Sequence, residues 1–120
     1  QIIYNSKEIS LESILKVFFT VHDPTTLNRQ GYDVGPQYRS VIFYRNEVQK
    51  QKANAIIAAL TREKVFSSPI VTKLDRVMAF YKAEDYHLNY YNNNKDAAYC
   101  KKIILPKLEK LDKVFGDLTK

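Results

Sequence analysis

Asp33, Gln37, Tyr38 and Arg39 crowd into one short stretch, between Gly31 and the apolar run Val41–Tyr44. The whole segment, residues 22–44, reads HDPTTLNRQGYDVGPQYRSVIFY. Gly31 and Gly35 let the backbone turn tightly or approach another group closely. Polar groups in a loop that leads into a strand are well placed for chemistry, because a rigid scaffold can hold them. The plain structural alternative is that Asp33 caps a turn and Tyr38 packs its ring at a sheet edge. A second group, Glu84, Asp85 and His87, lies in FYKAEDYHLNY, residues 80–90. His22 next to Asp23-Pro24 reads as structural. The single thiol, Cys100, excludes an internal disulfide. No His, Cys or carboxylate cluster has metal-ligand spacing, and no Gly-rich loop follows a strand at nucleotide-binding spacing. Tyr86, Tyr90, Tyr91 and Tyr99, interleaved with Lys95, Lys101 and Lys102, could stack on bases and touch phosphates, as a nucleic-acid-binding module would.

The elements that must position these residues follow from periodicity and punctuation. Residues 1–4 read as the end of a strand with no turn before it, so further chain is expected ahead of them. Ser10 is an N-cap for a helix with Leu11, Ile14, Leu15, Phe18 and Phe19 at helical spacing. Ile9 and Ile14 stand at the positions of a hydrophobic staple. That helix ends near His22-Asp23, ahead of Pro24. Residues 23–37 hold two Pro and two Gly and predict one long irregular loop, a kind that in compact domains is functional or disordered. Residues 39–44 predict a strand, Asn46 caps a helix with the stripe Ala53, Ile56, Ile57 and Leu60, and residues 70–75 predict a further strand. A short helix is expected over residues 83–91, broken by Asn92-Asn93-Asn94. A last helix is expected from Pro106 through Leu108, Leu111 and Phe115 to Gly116. This order suggests α+β or α/β in a single domain of 120 residues.

Composition narrows the classes further. The 45% hydrophobic content can build a core, although a chain of this size buries only about two-thirds of its unfolded surface. The net charge of +6 suits an anionic partner, but the charges are scattered, as on solvated Lys-rich helix faces. No apolar run approaches the roughly 18 residues of a membrane span. No secretory signal opens the chain, and a cytoplasmic setting is the expectation.

Three ordered blocks resemble the type A peptide methionine sulfoxide reductase family: HDPTTLNRQG with DVG and QYRS before an apolar strand; FYKAEDYHLNY; and YC followed by IILPKLEKL. The resemblance covers nearly the whole chain. It implies an α+β fold with a ferredoxin-like core, incomplete at its N-terminal end, a long active-site loop and a C-terminal helical extension. The implied reaction is reduction of the S epimer of methionine sulfoxide in peptides and proteins. A cysteine thiolate attacks sulfur, the departing oxygen is protonated by acidic hydrogen-bond donors, and the resulting sulfenic acid is resolved as a disulfide that thioredoxin reduces. The resemblance implies no cofactor beyond that reductant, no metal, and no membrane or nucleic-acid partner. Tyr38 matches a tyrosine whose hydroxyl faces the sulfoxide oxygen; a phenol holds its proton until pH about 10. Asp33 matches an aspartate that lines the same site. Tyr32 stands where asparagine is usual, and Pro36 where a small polar residue is common. Glu84, Asp85 and His87 would support the site, or simply form a capped short helix. Cys100 matches a resolving cysteine of some members, with a small buried hydrophobe as the alternative.

The family's nucleophile lies in a Gly-Cys-Phe-Trp segment and its general-acid glutamate in a Gly-His-x-Glu segment. Neither occurs in these 120 residues. Without a thiolate there is no attack on the sulfoxide, so the chain alone is expected to be inactive, its nucleophile lying upstream. A catalytically dead chain that still binds methionine sulfoxide through Asp33 and Tyr38 is a further reading.

Overall fold

The computed structural model describes residues 1–119. They form an α+β fold that divides into two compact units, Gln1–Met78 and a second beginning at Ala79.

In the first unit, helix α1 (Leu11–Val21) starts where Ser10 Oγ accepts from the Ser13 backbone N–H at 3.1 Å. One otherwise orphaned helix donor is thereby satisfied. Helix α2 (Glu47–Arg62) starts in the same manner, with Asn46 Oδ1 accepting from Gln49 N–H at 2.9 Å. The two helices pack against each other. Leu15 and Phe19 of α1, Ala53 of α2 and Pro24 in the loop after α1 are the buried apolar side chains of this unit among the described residues. Lys52 and Glu12 join the helices at 3.0 Å, half exposed, where an ion pair adds little stability.

Strands β1 (Arg29–Gln30) and β2 (Asp33–Val34) form a short antiparallel hairpin. Strand β3 (Val41–Tyr44) pairs in parallel with β4 (Lys73–Arg76), in register from Val41 opposite Lys73 to Tyr44 opposite Arg76. Parallel neighbours need a crossover, and α2 supplies it.

In the second unit, a 3₁₀ turn at Asp85–His87 precedes helix α3 (Tyr90–Asn93). A π-helical turn, Cys100–Ile104, runs directly into helix α4 (Leu105–Phe115). Pro106 sits in the first turn of α4, where a missing N–H costs no intrahelical bond.

Several expectations shift. Residues 1–4 form no strand: no ladder partner lies beside them among the described residues. The irregular loop expected over 23–37 contains the β1–β2 hairpin and a 3₁₀ turn, Pro36–Tyr38. The strand expected from Ile70 begins at Lys73, because the Val71 N–H is committed to the Pro24 carbonyl at 2.8 Å and the β3 ladder opens with Lys73 N–H to Ser40 O at 3.0 Å. The helix expected over 83–91 does not form. Glu84 is extended with no capping bond from its side chain, and Asn89 takes a left-handed conformation at φ 53°. Helix α3 starts only after that residue and takes in Asn92 and Asn93.

Candidate active site

The loop between α1 and β3 is built by local bonds that its own polar residues make. Asp23 Oδ1 accepts from the Thr25 N–H at 2.9 Å and from Thr25 Oγ1 at 2.6 Å. These bonds hold its carboxyl below the usual aspartate range. Gln30 clamps the Asp23 backbone with both ends of its amide: Oε1 accepts from Asp23 N–H at 2.9 Å and Nε2 donates to Asp23 O at 3.0 Å. Thr26 Oγ1 donates to Arg29 O at 2.7 Å. A two-residue turn, Gly31-Tyr32, closes the hairpin with Gly31 at φ 58° and Tyr32 outside the positive region. That is the pattern of a type II′ turn, which asks for glycine at its first central position.

Gly35 has φ 143°, and a Cβ there would lie 2.3 Å from Gln37 Oε1. Its N–H donates to Asn28 O at 2.8 Å and its carbonyl accepts from Tyr38 N–H at 3.0 Å, which starts the Pro36–Tyr38 turn. Arg39 Nη1 closes that turn onto Pro36 O at 2.8 Å.

Asp33, half-buried in β2, and Tyr38, at the end of the turn, therefore sit on two pieces of one folded loop that pack on each other. Tyr38 is 39% exposed. A half-buried carboxylate and a partly exposed phenol carried on one folded loop are the kinds of group that hold a polar ligand and offer it a proton.

Just after Tyr38 in the chain, Ser40 joins a chain of hydrogen bonds that motif reading did not reveal. His22 Nδ1 meets Phe18 O at 2.5 Å, and Nε2 meets Ser40 Oγ at 2.7 Å. Ser40 Oγ meets Thr72 Oγ1 at 2.7 Å. A carbonyl only accepts, so Nδ1 carries the proton; in the neutral ring Nε2 then accepts from Ser40, and the Thr72 hydroxyl donates to Ser40. His22 thus serves structurally, joining the end of α1 to the residues that immediately precede β3 and β4. Ser40 is buried and lies two residues after Tyr38. Replacing it by alanine removes one hydrogen-bond partner from His22 Nε2 and one from the Thr72 hydroxyl. Ser40→Ala is expected to lower unfolding stability by about 1–3 kcal/mol. Urea denaturation measures this, and a loss under about 0.5 kcal/mol, the scale of ordinary surface changes, would show that the chain of bonds contributes nothing.

Asp33 and Tyr38 belong to the first unit; Glu84, Asp85, His87 and Cys100 belong to the second. Glu84, Asp85 and His87 are exposed, and they pair locally. His87 Nε2 lies 3.8 Å from Glu84 Oε2 and Lys82 Nζ 3.8 Å from Asp85 Oδ1, while the Tyr86 and His87 rings stack at 4.1 Å. Cys100 opens the π-helical turn with 0% exposure. Among the described residues no group of three His, Cys, Asp or Glu side chains could hold a metal, and no helix is long and apolar enough to cross a membrane.

Residues 1–118 match the family described as peptide methionine sulfoxide reductase. The chain is 49% identical over 118 residues to the peptide methionine sulfoxide reductase MsrA of Chromobacterium violaceum, covering 98% of this chain and 67% of that protein. It is 50% identical over 108 residues to the Campylobacter jejuni protein of the same name, covering 90% and 64%. With that of Deinococcus radiodurans it shares 47% over 117 residues, covering 98% and 57%. Among solved structures, Mxr1 from Saccharomyces cerevisiae in reduced form superposes with a TM-score of 0.74 at 35% identity, over 81% of this chain and 52% of that one. Methionine sulfoxide reductase A of Corynebacterium diphtheriae gives 0.60 at 25% identity, over 77% and 48%. The chain thus spans about half to two-thirds of the length of the relatives it matches.

Proposed function

Because this chain belongs to the peptide methionine sulfoxide reductase family, we propose that it supplies the oxygen-binding side of a thiol-dependent reductase of methionine (S)-sulfoxide in peptides and proteins. The observation that supports this most is the preformed loop carrying Asp33 and Tyr38. Tyr38 donates to the sulfoxide oxygen, and Asp33 holds substrate and water beside it. Both compact units belong to one reductase domain, with the parallel β3–α2–β4 unit as part of a ferredoxin-like core.

The reaction needs a thiolate. It attacks sulfur, the sulfur–oxygen bond breaks, the oxygen takes a proton and passes to the cysteine as sulfenic acid, and the substrate leaves as thioether. A second thiol then displaces water and leaves a disulfide, which thioredoxin, in a cytoplasmic setting, returns to the dithiol. The one cysteine here is buried, so the nucleophile comes from outside these 120 residues. Resolution by Cys100 would require its π-helical turn to open.

Binding tests this without a nucleophile. In an NMR titration with a blocked methionine sulfoxide peptide, the S epimer is expected to shift the signals of Asp33 and Tyr38, and the R epimer to leave them in place. Equal shifts with both epimers, or shifts confined to other residues, would overturn the assignment.

A further inference from the structure

The chain holds two sulfur atoms, one methionine and one cysteine, and the structure gives them opposite exposures. Cys100 is fully buried, whereas Met78 is 91% exposed. The reason lies in where the parallel ladder stops. Strand β4 ends at Arg76, and the last ladder-type bond runs from Val77 N–H to Tyr44 O at 2.9 Å. Met78 is the next residue, and it opens a stretch, residues 78–84, with neither helix nor strand and with every side chain exposed. Phe80 and Tyr81 are 58% and 86% exposed.

We propose that Met78 is the oxidation site of this chain: peroxide converts its thioether to the sulfoxide ahead of any reaction at Cys100, and the product is presented as a substrate for a methionine sulfoxide reductase. A free thiol ordinarily outruns a thioether with peroxide. Here the order inverts, because oxidation follows thiolate character and access, and a buried cysteine is inert. The sulfur lone pair of Met78 attacks the peroxide oxygen, the O–O bond breaks, sulfur loses two electrons, and the peroxide leaves as water. Reversal consumes two thiols and releases water and a disulfide. The irregular, exposed stretch suits such a substrate, since a reductase must enclose the sulfoxide and its neighbours without first unfolding a ladder. Only the reversal touches the proposed function, and it is tested with a separate enzyme.

The experiment treats the purified 120-residue protein with hydrogen peroxide and follows oxygen uptake by mass spectrometry, peptide by peptide. Cys100 is counted by alkylation before and after denaturation. The first added oxygen is expected on Met78, on the order of tenfold faster than any change at Cys100, whose thiol stays alkylatable only after denaturation. Met78→Leu is expected to abolish that first uptake. Oxidised protein is then incubated with the Chromobacterium violaceum relative and dithiothreitol, which should return the S-sulfoxide fraction of Met78 to thioether and leave the R fraction. Oxygen appearing first at Cys100, or an unmodified Met78, would overturn the proposal of the oxidation site. An S-sulfoxide at Met78 that resists the added reductase would overturn its role as a substrate. None of these outcomes touches the epimer titration at Asp33 and Tyr38.

Discussion

Incubated alone with a methionine (S)-sulfoxide peptide and dithiothreitol, the 120 residues are expected to give no turnover. The loss is on the order of 10⁴-fold or more against an intact reductase, the scale on which covalent catalysts fail without their nucleophile. The argument is one of supply and access. Attack on the sulfoxide requires a thiolate, the sequence contains a single cysteine, and that cysteine is fully buried at the start of the π-helical turn. In the proposed roles Asp33 and Tyr38 hold and protonate an oxygen, but neither a carboxylate nor a phenol can form a sulfenic acid. The assay follows thioether release with both epimers. Turnover confined to the S epimer and lost in Cys100→Ala would assign Cys100 as nucleophile and reverse this expectation.

The second large effect falls on Tyr38. A chimera joining residues 1–118 to the remaining part of the Chromobacterium violaceum relative is expected to supply the thiolate that the proposed reaction needs; the two share 49% identity over the matched region. In that chimera Tyr38→Phe is expected to lower kcat by about 10²–10³-fold, the cost of removing one donor aimed at developing charge, with KM little changed. Phenylalanine keeps the ring at the end of the Pro36–Tyr38 turn and deletes only the hydroxyl, while the hydrogen bonds described above that form the turn are made by the backbone and Arg39. The split between kcat and KM is the informative readout. A donor that acts in the transition state lowers kcat and kcat/KM together, whereas a group that merely binds substrate raises KM. A change in KM alone would move Tyr38 from proton donor to binding group.

How much of this was legible beforehand depended on how far each structural cause reaches along the chain. Ser10 and Asn46 cap α1 and α2 as their residue types predict, because the bond each makes ends only three residues away. The start of α4 near Pro106 is equally local. The family was legible from HDPTTLNRQG, DVG and QYRS, and the resemblance singles out Asp33 and Tyr38 as its site candidates. Its glycines declared the tight places, since the conformations at Gly31 and Gly35 disfavour any side chain.

Other features were settled only by tertiary structure. Residues 1–4 carry strand-forming side chains, but a strand is defined by its neighbour, and none lies beside them among the described residues. β4 begins three residues later than its apolar pattern suggests, because Pro24, far away in sequence, takes the Val71 N–H first. The helix expected over 83–91 yields to a left-handed Asn89, a single backbone choice that weak propensities do not specify. The bonds from His22 to Ser40 and from Ser40 to Thr72 span 18 and 32 residues. Composition and periodicity carry no term for such pairs, so the bonds that join the end of α1 to the starts of β3 and β4 depend on the strands lying side by side. The two sulfurs show the same division. Their number is a property of the sequence, while the burial of Cys100 and the exposure of Met78 depend on where the π-helical turn packs and where the ladder stops.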